Sequence, residues 1–171
     1  MTTSSTPLTI TELPPTARFS LRTSDPVALS RALELELPSV VGGGAKTALC
    51  SVLCLGPDEW FLEAREEDGA QLSATLADIA TRLPLSAVEV SDREITVALS
   101  GPAVLDLLAT GCPRDLAKLP VGSGHRTLFD TVQVVLTREA EDRFHLTVWR
   151  SYAHSVRALL KIAAHEFSLG L

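Results

Sequence analysis

Three cysteines and four histidines are the residues in this sequence best suited to redox, nucleophilic or metal chemistry. Cys50 and Cys54 stand four apart on a predicted strand, roughly 13 Å, too far to bridge or to share a metal ion. Cys112 follows a predicted helix beside Arg114, but the negative end of a helix raises a thiol pKa and so does not make a nucleophile. Buried, reduced, structural thiols are therefore expected. His154 and His165 share a helix face about 16 Å apart, His125 falls in a loop, and His145 lies on a strand face opposite Phe144. No set of donors converges as a metal requires, and no G-x-S-x-G elbow is present. The residues thus supply no catalytic, cofactor-binding or metal-binding constellation.

Gly42-Gly43-Gly44-Ala45-Lys46-Thr47 has the composition of a phosphate-binding loop but the wrong register. A lysine at 46 requires glycines at 40 and 45, where the chain has Val40 and Ala45, and the loop runs into a strand. A similar loop, Gly122-Ser123-Gly124-His125-Arg126-Thr127, recurs 80 positions on (Lys46 to Arg126), so a duplicated connector is the better reading. The run Arg65-Glu66-Glu67-Asp68 reads as a solvated loop before a helix. Among the large aromatics, Trp149 shares a strand face with His145 and Thr147, opposite Phe144, Leu146 and Val148. Both simple packing and contact with a partner remain open for Trp60, Trp149 and Tyr152. Aromatic and arginine side chains mark interface centres, which makes Trp149, Arg150 and Tyr152 the candidate interface residues.

The elements that must position these residues follow from periodicity. Residues 1–16 are rich in Thr, Ser and Pro and are expected to form an extended arm. Phe19, Leu21 and Thr23 alternate as a strand does, and Asp25-Pro26 opens a helix carrying Leu29, Ala32, Leu33 and Leu37 as far as Pro38. Ala48 to Leu55 reads as a strand buried on both faces. It turns at Gly56-Pro57-Asp58-Glu59 into Trp60, Leu62 and Ala64. Leu72, Leu76, Ile79, Ala80 and Leu83 then mark a helix, closed by Pro84. After a brief strand at Val88 and Val90, Ile95, Val97 and Leu99 enter a central turn and helix. Pro102 is expected there at the first helical position and Gly111 as a left-handed cap. A second hairpin (Val132, Val134, Leu136; Phe144, Leu146, Val148) leads to a last helix from Ser151. That helix carries Tyr152, Val156, Leu159, Leu160, Ala163 and Phe167 on one face, with order ending at Gly170.

These elements repeat. Trp60 to Phe144, Leu62 to Leu146 and Leu76 to Leu160 are each 84 positions apart, and Phe19 to Ile95 is 76. The expected fold is α+β, with two pseudo-repeated strand-helix-strand-strand-helix lobes whose helices cover one side of antiparallel sheets. The boundaries are an arm over 1–16, a first lobe over 17–92 and a second over 93–171, in one compact domain overall.

With 171 residues, 46% of them hydrophobic, and a mean hydropathy of +0.22, the chain can bury a good core. A net charge of -6 and the lack of any basic run argue against nucleic acid and anionic membranes as partners. No signal-like start or apolar run of ~18 residues is present, which points to the cytoplasm.

Leu55-Gly56-Pro57-Asp58-Glu59-Trp60, Leu99-Ser100-Gly101-Pro102, Gly111-Cys112-Pro113-Arg114-Asp115-Leu116 and Arg150-Ser151-Tyr152 together resemble the gamma subunit of heterotetrameric sarcosine oxidase, over about 17–167. That family is similar in fold to the folate-binding domains of aminomethyltransferases. The resemblance implies an accessory, non-catalytic subunit of a complex that demethylates sarcosine to glycine, forming methylene-tetrahydrofolate and hydrogen peroxide. The partners would then be alpha, beta and delta subunits, with FAD, FMN, NAD and tetrahydrofolate residing in the alpha and beta subunits and no cofactor bound by this chain. A stand-alone folate-binding or one-carbon-transfer protein, a small-ligand regulatory module and a subunit of a related N-methyl amino acid dehydrogenase are the alternatives.

Overall fold

A computed structural model describes residues 8–169, so the expectations for Met1 to Pro7 and for Gly170 lie outside the described residues. The chain forms two compact units. One is Pro15–Asp92; the other joins the N-terminal segment through Pro14 to everything from Arg93 onward.

The first strand, β1 (Thr9–Glu12), belongs to the latter unit. It pairs antiparallel with β7 (Glu94–Ser100), Ile10 opposite Leu99, where the Thr- and Pro-rich composition suggests an arm without ordered elements. Partly buried Leu8 and Ile10 supply the reason, since both pack on that unit's core.

The Pro15–Asp92 unit contains β2 (Thr16–Thr23), α1 (Pro26–Leu33), β3 (Gly44–Lys46), β4 (Cys50–Gly56), β5 (Glu59–Arg65), α2 (Gly69–Ala80) and β6 (Leu85–Glu89). Its antiparallel sheet runs β3-β4-β5-β2-β6. Phe19, Leu21, Val52, Trp60 and Leu62 from the sheet meet Leu29, Leu76 and Ile79 from the helices in one core. Helix α1 is capped by Asp25, whose carboxylate accepts from the Ala28 N–H at 2.9 Å, with Pro26 at its first turn. It ends earlier than Pro38 would dictate. Glu34 adopts a left-handed φ of 50°, and the Leu35 N–H donates to the Ser30 carbonyl at 3.1 Å. The chain turns there, so Leu35 and Leu37 are buried while Ala32 is exposed. The acidic run Glu66–Asp68 forms one 3₁₀ turn, held by Arg65 Nε donating to Asp68 at 2.8 Å.

The other unit adds α3 (Val104–Ala109), β8 (Gly124–Phe129), β9 (Val132–Ala140), β10 (Arg143–Trp149) and α4 (Arg150–Ser168), with sheet order β1-β7-β10-β9-β8. Its core is built from Val97, Leu99, Leu136, Phe144 and Leu146 against Leu107, Leu108, Val156 and Leu160. Pro102 lies ahead of α3, in the turn, and Ala103 is the cap residue. Gly101 takes a φ of 130° to make that turn, a backbone that side chains with a Cβ rarely adopt. Gly111 is not a left-handed cap; positive φ among the described glycines is confined to Gly42, Gly101 and Gly122. Glycine is required at 111 by close approach, because a Cβ would meet the Phe129 ring at 2.9 Å and the Asp130 backbone nitrogen at 3.0 Å.

Both glycine loops lead into an edge strand, β3 or β8, where the sequence predicts connectors. Their hydrogen bonds match. Gly42 N–H donates to Cys54 O (2.8 Å) and Cys54 N–H to Gly43 O (2.9 Å); Gly122 N–H donates to Arg138 O (2.7 Å) and Arg138 N–H to Ser123 O (2.9 Å). The strand registers set Leu21 opposite Trp60 and Leu99 opposite Phe144. Leu21 and Leu99 are 78 positions apart and their partners Trp60 and Phe144 84 apart, while Pro26 opens its helix and Pro102 lies ahead of its own.

Candidate interaction surface

Helix α4 places most of the candidate residues, and three of its faces differ in kind. Ala153, Val156, Leu160 and Ala163 recur at helical spacing and are buried against the sheet. Tyr152 and Leu159, which the periodicity alone assigns to that face, are instead 48% and 40% exposed. With Ile162, which is also exposed, they form a second, solvent-facing apolar stripe. Trp149 stands at the cap position of α4 with 43% of its surface exposed. Its ring centroid is 6.4 Å from that of Tyr152, and the Arg93 guanidinium lies 5.2 Å from the Trp149 centroid. Arg93 also donates to Glu94 Oε1 at 2.8 Å, and Glu94 is the cross-strand partner of Trp149. Trp149 and Tyr152 therefore come together as an exposed aromatic pair with a cation on top. Trp60, by contrast, is 2% exposed and donates its indole N–H to Pro38 O at 2.9 Å, which makes it a core residue.

Arg150 lines a groove of about 390 Å³ with His154, Arg157 and Lys161, over Ile95, Ala153 and Ala158, and with Glu12 of β1 at its side. Arg157 is ion-paired to Glu12. The cations recur at i, i+4, i+7 and i+11, one stripe of a helix. A search for basic runs misses them because they are not contiguous, although the helical spacing is legible in the sequence.

The other reactive side chains stay dispersed. Cys54 is buried, its thiol donates to Gly56 O at 3.2 Å, and burial raises its pKa. Cys112 is buried with Thr127 Oγ1 at 3.9 Å, and Cys50 is partly exposed. No group of three His, Cys, Asp or Glu side chains among the described residues could hold a metal ion. His125 has a lowered pKa, chiefly from burial and then from the positive charge of Arg114. No described helix is long and apolar enough to cross a membrane.

Against known proteins, residues 22–166 match the family described as sarcosine oxidase, gamma subunit. The chain is 32% identical over 169 residues to sarcosine oxidase subunit gamma of Corynebacterium sp. strain U-96, covering 94% of this chain and 81% of that one. A chain of the solved heterotetrameric sarcosine oxidase from Corynebacterium sp. U-96, in complex with pyrrole 2-carboxylate, superimposes with a TM-score of 0.85 at 28% identity, covering 94% of this chain and 85% of the other. The chain is also 30% identical over 152 residues to an aminomethyltransferase of Saccharopolyspora erythraea, covering 76% of this chain but only 41% of that protein. Aminomethyltransferase T from Bartonella henselae shares the fold, with a TM-score of 0.71 at 17% identity over 92% of this chain and 46% of that one.

Proposed function

The chain belongs to the sarcosine oxidase gamma subunit family, and from that premise we propose that it is an accessory, non-catalytic subunit of a cytoplasmic heterotetramer that oxidatively demethylates sarcosine to glycine. The observation that carries this reading is the TM-score of 0.85 over 94% of the chain with the heterotetrameric enzyme. On this reading the chain's partners are alpha, beta and delta subunits, FAD, FMN, NAD and tetrahydrofolate belong to the alpha and beta subunits, and methylene-tetrahydrofolate and hydrogen peroxide are formed there. This chain holds none of them and contributes by binding. Trp149, Arg150 and Tyr152 are the contact residues; the exposed Trp149–Tyr152 pair, with the Arg93 guanidinium over Trp149, has the composition of an interface centre, and Arg150 lines the adjacent basic groove. Association with a folded partner stabilises both by mass action, so the role in catalysis is indirect.

The lobes are proposed to be a tandem duplication, an arm followed by repeats near 17–92 and 93–171. The like strand orders and the matched hydrogen bonds of the two glycine loops support it. The functional reading is tested by co-expression with the large flavoprotein subunits, size exclusion and a folate titration of the free chain. Co-elution with the flavoproteins and no folate binding by the free chain are expected. Separate elution at micromolar concentration overturns the subunit reading, and saturable folate binding favours the one-carbon alternative.

A further inference from the structure

We propose that the groove along α4 is a docking site for an acidic peptide segment of another polypeptide, with Arg157 and Lys161 taking its carboxylates and His154 donating an imidazole N–H. The groove already holds one carboxylate, since Glu12 reaches it from β1 and pairs with Arg157. Lys161 and His154 line the same groove and are solvent-exposed. On a chain with 21 acidic and 15 basic residues, cations gathered on one helix face are not a consequence of composition.

Nor are they a consequence of the fold. The other unit has a groove of about 320 Å³ beside its own long helix, lined by Ser73, Leu76, Ala77 and Ala80 of α2 against Phe19 of β2 and residues of β6. Eighty-four positions on from Ser73 and Ala77 stand Arg157 and Lys161. The same place beside the helix therefore tolerates small neutral residues, and the charge in the α4 groove answers some other demand.

The ligand class follows from length and floor. From Arg150 to Lys161 the helix rises roughly 16 Å, which far exceeds an inorganic phosphate and suits several residues of extended peptide. Ile95, Ala153 and Ala158 make the floor apolar, so a segment mixing acidic with aliphatic side chains fits both surfaces. A nucleic acid is disfavoured, because the groove offers no aromatic platform for a base and the chain is net negative.

The test is fluorescence anisotropy of a labelled dodecapeptide of glutamate and leucine, added to the isolated full chain. Saturable, salt-sensitive binding is expected, weakened about fivefold in the His154→Ala, Lys161→Ala double variant. Lys161→Glu should weaken it on the order of tenfold, and the lysine-leucine peptide should not bind. Those variants keep Arg157 and its hold on β1, and unchanged circular dichroism establishes that they fold. The proposal is overturned if there is no saturable binding up to about 1 mM, if binding is indifferent to Lys161→Glu, if inorganic phosphate competes as well as the unlabelled peptide, or if oligothymidylate binds more tightly.

Discussion

Gly101 holds, without strain, a turn between β7 and α3 that a residue with a Cβ could make only with strain. Its φ of 130° and its burial make valine there costly, about 1–3 kcal/mol, and the midpoint of denaturant unfolding of Gly101→Val should fall accordingly. Arg138 is a second such position. Its guanidinium is almost fully buried, over the Phe144 ring at 5.5 Å, and donates to four backbone carbonyls: Ala117, Leu119, Ala140 and Glu141. Replacing Arg138 by Met keeps the apolar stem and leaves those acceptors short of donors, at a cost of about 1–3 kcal/mol in the same assay. His125 should act through pH. Its pKa is lowered in the folded chain, so below about pH 6.5 the unfolded chain takes the proton first and stability falls. His125→Gln removes that loss. The thermal midpoint difference between wild type and variant should therefore shift in the variant's favour from pH 7.5 to 5.5, and an unchanged difference would refute the assignment.

Element by element, the sequence was most legible where one period dominated. The alternation of Phe19 and Leu21, and of Phe144, Leu146 and Val148, identified core faces because a two-residue period admits one inner side. Edge strands β1, β3 and β8 were not legible. For β1 the partner is distant in sequence, Ser100 for Thr9, whereas β3 and β8 start in glycine loops whose composition reads as connectors. Helix α4 was half legible: apolar residues occupy two of its faces, and periodicity cannot say which of them meets the sheet. Its basic groove was legible as a helical spacing but not as a basic run, since the charges become neighbours only once the helix is wound. The exposed face yields a prediction at this scale. Trp149→Ala and Tyr152→Ala should change the thermal stability of the free chain by less than about 1 kcal/mol yet abolish co-elution with the flavoprotein subunits. Loss of folding without selective loss of assembly would assign those rings to packing.

At the scale of the whole molecule, the two units have like strand orders. In each, the first strand lies between an extra strand and the last strand of the hairpin. The extra strand differs in origin, however. For the Pro15–Asp92 unit it is β6, which follows α2, whereas for the other unit it is β1, at the start of the described chain. During synthesis, β1 therefore emerges some eighty residues before β7, its strand partner among the described residues, exists. Pro15–Asp92 can complete its sheet on the ribosome while the segment ahead of it waits, its N–H and C=O groups open to any passing strand. A chain released before β7 has emerged would carry an unclaimed strand, and one lacking residues 1–14 would leave an open edge on a finished sheet. The nascent protein thus passes through a period of vulnerability to off-pathway pairing that its finished form does not reveal.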